Sequence, residues 1–589
     1  MSGEWKTIIG LSGIIAAMIL IYAACIIYNN RKTKRRRLRM IRKDWGAWPE
    51  REYDYPDWNG AEGYYCNKET GQFQVDDITW NDLDMDRIFM LLNHTFSFMG
   101  EGYLYYLLRT PSFSGEELEE RERLIRYFTE NPGEREQLQL FFCQTGKPGR
   151  SSIFDAIYNL ADVKPVNNLH HYFMAAVFLG SVGTIFLSPQ LGILLVIGAM
   201  MLTMIDYYRQ KRPVEKFIVS CTFLLRTLKT AEKMEKMHLP ELTAYQERIR
   251  EARKAFGKLK RNTFFLINGA RTDGDLLVGL IMYLNSCFHI DLIQFSTVVK
   301  EMKLHIGAFE TLIEEMGKIE SAIAIASFRQ CMQDFCVPEV KLSEKGAPAL
   351  ETENLYHPLI QDPVKNSIRA GRGVLLTGSN ASGKSTFLKT VAVNAILAQT
   401  VHTCLADQWT GGGFRVLSSM ALRDDLEGQE SYYIVEIKAL KRILDQIHPF
   451  ASDQTLSADG QKNAEEVLTA EQFPVLCFVD EVLRGTNTVE RIAASAQILK
   501  YMTGKQVICF AATHDIELTH ILEDYYDNYH FQEEVRDGDI RFDYILYSGR
   551  ATSRNAIKLL QIMGYDEKVI TRAEAAAEYF LKAGEWAKE

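Results

Sequence analysis

Residues 374–386 read VLLTGSNASGKST, and no other stretch limits the fold of this 589-residue chain so sharply. A G-x-x-x-x-G-K-[ST] pattern binds phosphate only where a buried strand delivers the chain into a loop and a helix carries it away. Glycines at 378 and 383 let the loop wrap so that backbone N–H groups face phosphate oxygens, and the helix adds its positive N-terminal end. The pattern therefore predicts a strand over 373–377, a helix over 386–397 and an α/β P-loop ATPase domain around them. Gly378, Ser379, Asn380, Ala381, Ser382, Gly383, Lys384, Ser385 and Thr386 form the expected nucleotide-binding set. Lys384 would reach the β- and γ-phosphates and the Ser385 hydroxyl would ligate Mg²⁺, so ATP and Mg²⁺ are the expected cofactors.

Two further apolar runs support that reading. Residues 473–481, FPVLCFVDE, end a strand-like run in paired carboxylates. Asp480 would hold the metal through water, and Glu481 would orient and deprotonate the attacking water. Residues 507–515, VICFAATHD, end in Thr513 and His514, which are placed to sense the γ-phosphate or that water. A histidine merely satisfied at a strand end is the weaker alternative for His514.

The other constraint is apolarity. Residues 8–28 carry no charge over 21 positions, and about 20 apolar residues cross the hydrocarbon core as a helix. RKTKRRRLRMIRK follows at 31–43, with nine basic residues in thirteen. Charge behind the run rather than ahead of it argues for an anchor over a signal peptide, with the chain from Arg31 onward cytoplasmic. A nucleic-acid arm or a solvated face is the alternative for the basic run. A second apolar region, 172–205, is interrupted by Ser188-Pro189-Gln190. It predicts a tight hairpin of two helices with both ends cytoplasmic, each half short for a span unless flanking residues are drawn in. The alternative is a helical pair buried in a soluble core. Three crossings, a plasma-membrane location and a cytoplasmic ATPase domain are expected.

Removing the nine basic charges of 31–43 from a net of −9 leaves the rest of the chain at −18. So acidic a body is a poor non-specific ligand for nucleic acid, although a local basic face is compatible with it. The ten cysteines form no C-x-x-C pair, which argues against a zinc site and for reduced thiols. Residues 82–340 show mostly helical spacing, with amphipathic helices over 223–238 and 242–259. The expected organisation is an anchor (1–28), a basic linker (29–80), an all-α domain interrupted at 172–206 (81–345) and the ATPase domain (346–589).

In order and spacing, four stretches resemble the MutS family of DNA mismatch-repair ATPases. TGSNASGKST is similar to the family's TGPNMGGKST, and DDLEGQESYYIVE (424–436) to its DDL-x-x-G-x-STF-x-x-E segment. DEVLRGTNT (480–488) is similar to DE-x-GRGTST, and ATH followed by Glu517-Leu518 to ATH-x-x-EL. Weaker likenesses are YHPL at 356–359, GYDEKVITRA at 564–573 and the start of a helical lever domain over 79–128.

The resemblance implies a homodimer through the ATPase domains, with Ser431 reaching the γ-phosphate held by the partner's Lys384 loop. It implies that residues 484–488 line that interface and that the helical domain works as a lever. Three departures limit it. The family's mismatch reader would precede the levers, and no F-x-E motif stands in 29–81. The DNA clamp is replaced by the apolar hairpin. Ala381 and Tyr432-Tyr433 differ from the family pattern.

Three functions are compatible with these features. The first is a membrane-anchored dimeric ATPase whose levers act on the membrane or an unknown protein partner. The second is a tethered DNA-sensing ATPase of mismatch-repair type, and the third an ABC-type transporter component, against which stands the absence of L-S-G-G-Q.

Overall fold

The computed structural model describes the chain except residues 1–2, 51, 69, 149–151, 160–167, 262–265, 267–275, 343–347, 380–381, 421–431, 448–471, 485, 505, 537–538, 552–556, 558–559, 562, 584–585 and 587–589. The chain divides into two compact units. One comprises Met1–Glu69, Met90–Tyr106 and Arg123–Cys331; the other comprises Thr70–Phe89, Leu107–Glu122 and Met332–Glu589.

In chain order the first helices are α1 (Gly3–Asp44), α2 (Tyr55–Asn67), α3 (Asp77–Asp82), α4 (Met85–Leu92), α5 (Phe98–Arg109), α6 (Gly115–Glu130), α7 (Pro132–Thr145) and α8 (Ile153–Tyr158). There follow α9 (Asn168–Gly183), α10 (Pro189–Lys211), α11 (Glu215–Glu235), α12 (Thr243–Lys254), α13 (Leu276–Phe288), α14 (Ile290–Leu304) and α15 (Ile306–Met332). The first unit is helical throughout its described residues. Its centre is aromatic: Phe154 lies 5.4 Å from Tyr64 and 5.5 Å from Phe98, ring centroid to ring centroid. Beside it Glu320, wholly buried on α15, accepts N–H bonds from Phe96 at 2.6 Å and Ser97 at 2.9 Å.

The hairpin expected over 172–206 is present as α9 and α10, which pack together. Pro189 begins α10, where its missing N–H costs nothing, so the break falls between two helices rather than inside one. Both helices exceed the sequence estimate. Helix α9 continues through a 3₁₀ turn, Thr184–Phe186, and α10 draws in residues up to Lys211. At Asn168–Phe186 and Pro189–Val214 the pair is long and apolar enough to cross a membrane, with only 17% and 22% of the apolar windows buried. Phe186 and Leu187 at the tip are 89% and 87% exposed. Helix α13 packs on both, Tyr283 reaching the Met200 sulfur and Phe288 the Phe178 ring. The apolar run of 8–28 and the basic run of 31–43 share the single helix α1. Side chains of residues 3–19 lie outside the described ones.

The second unit holds the strands: β1 (Glu339–Lys341), β2 (Leu350–Leu355), β3 (Asn366–Ala370), β4 (Gly373–Thr377), β5 (Gln408–Gly412), β6 (Arg415–Ser419), β7 (Val475–Asp480), β8 (Val507–Ala512), β9 (Tyr526–His530), β10 (Glu533–Arg536), β11 (Asp539–Phe542) and β12 (Tyr547–Ser548). Its remaining helices are α16 (Lys384–Thr400), α17 (Tyr432–Ile447), α18 (Thr488–Tyr501), α19 (Ile516–Ile521) and α20 (Glu567–Ala583).

The main sheet runs β12-β9-β4-β8-β7-β6, parallel from β9 to β6 with β12 antiparallel at the edge. Every residue of β4, β6, β7 and β8 is buried, and β4, β7 and β8 accordingly read as near-continuous apolar runs rather than alternating ones. Strand β6, RVLSS, instead buries polar residues that are hydrogen-bonded, Arg415 to the Phe473 and Gln446 carbonyls and Ser418 to Asp82. Val475, Cys477 and Val479 pack with Leu440, Ile443 and Ile447 of α17 and Leu499 of α18. Helix α16, buried along nearly all its length, packs on β6, β7 and β8.

Register then sets the site. Leu376 pairs with Ala512, and Ala512 with Asp480, so β4, β8 and β7 end level with one another. A second sheet, β1-β5-β2-β3, belongs to the same unit, as does α3, whose Asp82 accepts bonds from Ser418 Oγ at 2.7 Å and Met420 N at 2.9 Å at the end of β6.

Candidate active site

Open parallel sheets present their ligands at the carboxyl ends of the strands, and three such ends converge here. From β4 the chain enters its loop at Gly378 with φ +145° and leaves it at Gly383 with φ +107°. A Cβ at 378 would stand 2.8 Å from the Phe531 carbonyl oxygen, so both dihedral and space demand glycine there. Asn380 and Ala381 lie outside the described residues. Lys384 opens α16; its ammonium is buried and donates to the Gly378 and Ser379 carbonyls at 2.8 Å each. Burial pulls its pKa below the ordinary lysine value, with Asp480 and Glu481 opposing the shift.

Next to it the Ser385 hydroxyl donates to Asp480 Oδ2 at 2.5 Å. The other oxygen, Asp480 Oδ1, is buried without a hydrogen-bond partner, and burial raises the Asp480 pKa. An unpartnered carboxylate oxygen beside a serine hydroxyl, at the foot of a phosphate loop, is the hard oxygen donor set that Mg²⁺ takes. The Ser382 hydroxyl is likewise buried and unpartnered.

At the end of β7 the backbone turns sharply, with Glu481 at φ +58° and Leu483 at φ +59°. The Glu481 N–H donates to the Ala512 carbonyl at 3.0 Å, which ties the turn to β8. Glu481 Oε1 lies 2.8 Å from His514 Nε2, and Oε2 pairs with the Arg484 guanidinium. Burial alone would raise the Glu481 pKa. The His514 hydrogen bond and the charges of His514, Arg484 and Lys384 outweigh it and hold the carboxyl below its ordinary range. Thr513 donates its N–H to Leu376 at 2.9 Å, and its hydroxyl accepts the Asp515 N–H at 3.0 Å.

A cleft of about 350 Å³ opens here, lined by residues 382–386 with Glu481, Arg484 and Tyr544, and Asp480 and His514 stand behind its wall on Ser385 and Glu481. Lys384, Ser385, Asp480, Glu481 and His514 are thus brought together from three strand ends. Ser431 and Gly485 lie outside the described residues. Of 484–488, Arg484 faces the cleft, and Asn487 caps α18 through the Val489 N–H at 3.0 Å.

Two residues of the site carry no sequence signal that we read. Tyr544, at φ +56°, stands against the loop, where a Cβ on Gly383 would lie 3.3 Å from its ring. Glu533 of β10 accepts the Ser379 hydroxyl. Tyr356 and His357, nearest in sequence to the entry of this domain, pack inward instead. The Tyr356 hydroxyl donates to the Asp334 carbonyl at 2.6 Å, and burial holds the His357 pKa at about 4.

Comparison with known proteins places this geometry. The family model for MutS domain V matches residues 374–456 and 460–580. The chain is 25% identical over 292 residues to the DNA mismatch repair protein MutS of Natronomonas pharaonis, covering 48% of this chain and 31% of that protein. It is 26% identical over 301 residues to that of Thermotoga maritima, covering 49% and 34%. To the MutS protein homolog 4 of Homo sapiens it is 25% identical over 281 residues, covering 45% and 26%. The chain spans about a third of the length of these relatives.

Proposed function

We propose, for a chain that belongs to the MutS family through its domain V, a Mg²⁺-dependent ATPase in which hydrolysis switches the association of two copies. The observation that carries the ATPase is the convergence on one cleft of the Lys384 loop, the Ser385–Asp480 pair and the Glu481–His514 pair. The loop N–H groups and Lys384 bind the phosphates. Ser385 and Asp480 would hold Mg²⁺, which when bound neutralises charge on the phosphate oxygens. Glu481, kept ionised by His514 and Arg484, orients the attacking water and takes its proton. His514 holds that carboxylate in place. Ser431 completes the site from the partner subunit, so ATP binding favours the dimer and hydrolysis releases it.

The load on this switch is DNA in the reading the relatives favour, since they are named DNA mismatch repair proteins. In that reading the helical domain expected over 81–345 is a DNA-responsive lever and the basic run of α1 contributes phosphate contacts. The exposed apolar hairpin supports a second reading, in which the levers act on a bilayer or a membrane protein. Both place the protein in the plasma membrane, multi-pass, with domain V cytoplasmic. Steady-state ATP hydrolysis by detergent-solubilised protein separates them, with Lys384→Ala and Glu481→Ala as controls and homoduplex, mismatched and branched DNA as titrants. Stimulation that depends on DNA structure and survives physiological salt supports the first reading. A rate indifferent to every DNA, yet abolished by both substitutions, supports the second.

A further inference from the structure

We infer that Glu436 is a positioning residue for hydrolysis: from α17 its buried carboxylate holds the strained turn that presents Glu481. The inference rests on the ATPase reading and goes beyond it, since Glu436 is not one of the residues that line the cleft.

The turn needs holding. Left-handed backbone costs a non-glycine residue on the order of 1–3 kcal/mol and persists only where neighbours over-determine it. Glu481 and Leu483 both adopt it within three residues. Each residue of the turn has its own tether: Glu481 N–H to Ala512 of β8 at 3.0 Å, the Val482 carbonyl to Ser495 Oγ of α18 at 3.2 Å, and Leu483 N–H to Glu436 Oε1 of α17. The third is of a different kind. Glu436 is 1% exposed, and a carboxylate accepting a backbone N–H in a dry site makes about twice the bond of a neutral acceptor. Burial raises its pKa, while the Leu483 and Arg484 amides and the Arg484 charge pull the other way.

In sequence the proposed trans-acting Ser431 stands directly before α17, which begins at Tyr432, and five positions ahead of the carboxylate that holds the turn of its own subunit's Glu481.

The test uses full-length protein with two substitutions that separate acceptor reach from charge. Glu436→Gln keeps an oxygen at the same distance, whereas Glu436→Asp keeps the charge but withdraws the acceptor by about 1.5 Å. Misplacement on that scale costs up to a hundredfold in rate. For each variant, kcat and KM for ATP are measured beside the Kd for ADP from fluorescence titration. We expect Glu436→Asp to lose about tenfold or more in kcat and Glu436→Gln to stay within about threefold, with ADP affinity unchanged in both. An Asp variant as fast as wild type overturns the inference, and so does parallel loss of kcat and ADP affinity in both variants, the mark of a merely structural role. A wild-type protein that neither binds ADP nor hydrolyses ATP overturns the ATPase reading itself, and this inference with it.

Discussion

Replacing Glu481 by Gln tests the chemistry of the cleft most directly. The amide has the size of the carboxyl, so the turn that carries it keeps its shape. It cannot accept a proton, and one of its ends becomes an NH₂ facing either Arg484 or His514 in place of an acceptor. Two effects follow, of different size. Loss of a positioned general base costs 10²–10⁴-fold in the chemical step, or about 3–5.5 kcal/mol of barrier. Loss of charge-assisted bonds to Arg484 and His514 costs folding about 1–3 kcal/mol in all, because the pair is a fifth exposed on the Glu481 side and more so on the others. The variant should therefore fold, bind ATP and ADP as wild type does, and turn over at least 100-fold more slowly. With release blocked at the ATP stage, it should also accumulate as a dimer in ATP but not in ADP. Steady-state rates, ADP titration and light scattering read the three quantities. A kcat within about tenfold of wild type, in protein that still needs Lys384, would refute the assignment of Glu481 as base.

Other perturbations follow from the same geometry. Gly378→Ala would force a Cβ to within 2.8 Å of a carbonyl at φ +145°, so nucleotide binding should be lost while the sheet still folds, read by ADP titration beside thermal melting. Tyr544→Ala should raise KM for ATP more than it lowers kcat, since Tyr544 lines the cleft beside Gly383 of the phosphate loop. His357 is held neutral, its pKa down from 6.5 to about 4, so its contribution is full above pH 6.5 and lost as pH falls towards 4. That loss is at most about 3 kcal/mol, and His357→Gln should remove it from the pH dependence of melting. In a cysteine-free background, a cysteine at Phe186 or Leu187 should resist an impermeant maleimide in sealed inside-out vesicles until detergent is added; labelling before detergent would refute the spanning hairpin.

The sequence by itself determined whatever is built from neighbours along the chain. A phosphate loop is a contiguous run of backbone between one strand and one helix, so the strand 373–377 was legible as it stands and the helix to within two residues at its start and three at its end. The carboxylate pair and the Thr-His step were legible too, because β7 and β8, buried along their length, are apolar up to the polar residues at their carboxyl ends. Pro189 marked the hairpin for an equally local reason.

Tertiary structure decided the rest. Strand order and register, which the loop motifs do not encode, bring Leu376, Asp480 and Ala512 level and so convert three separate motifs into one site. Tyr544 reaches the loop from 161 positions away, Glu533 from 154, and Glu436 binds a backbone N–H 47 residues on, a contact that leaves no mark on the identity of Leu483. Thr70–Phe89 joins the same compact unit as the sheet through α3, which satisfies the end of β6. Leu107–Glu122 joins it through bonds such as the Ser112 N–H to the Gln399 carbonyl at 2.9 Å and Arg121 to the Thr400 carbonyl at 2.6 Å, partnerships with no local pattern. Local periodicity records which face of an element is buried; which element covers it is chosen by packing, and packing is a property of the whole fold.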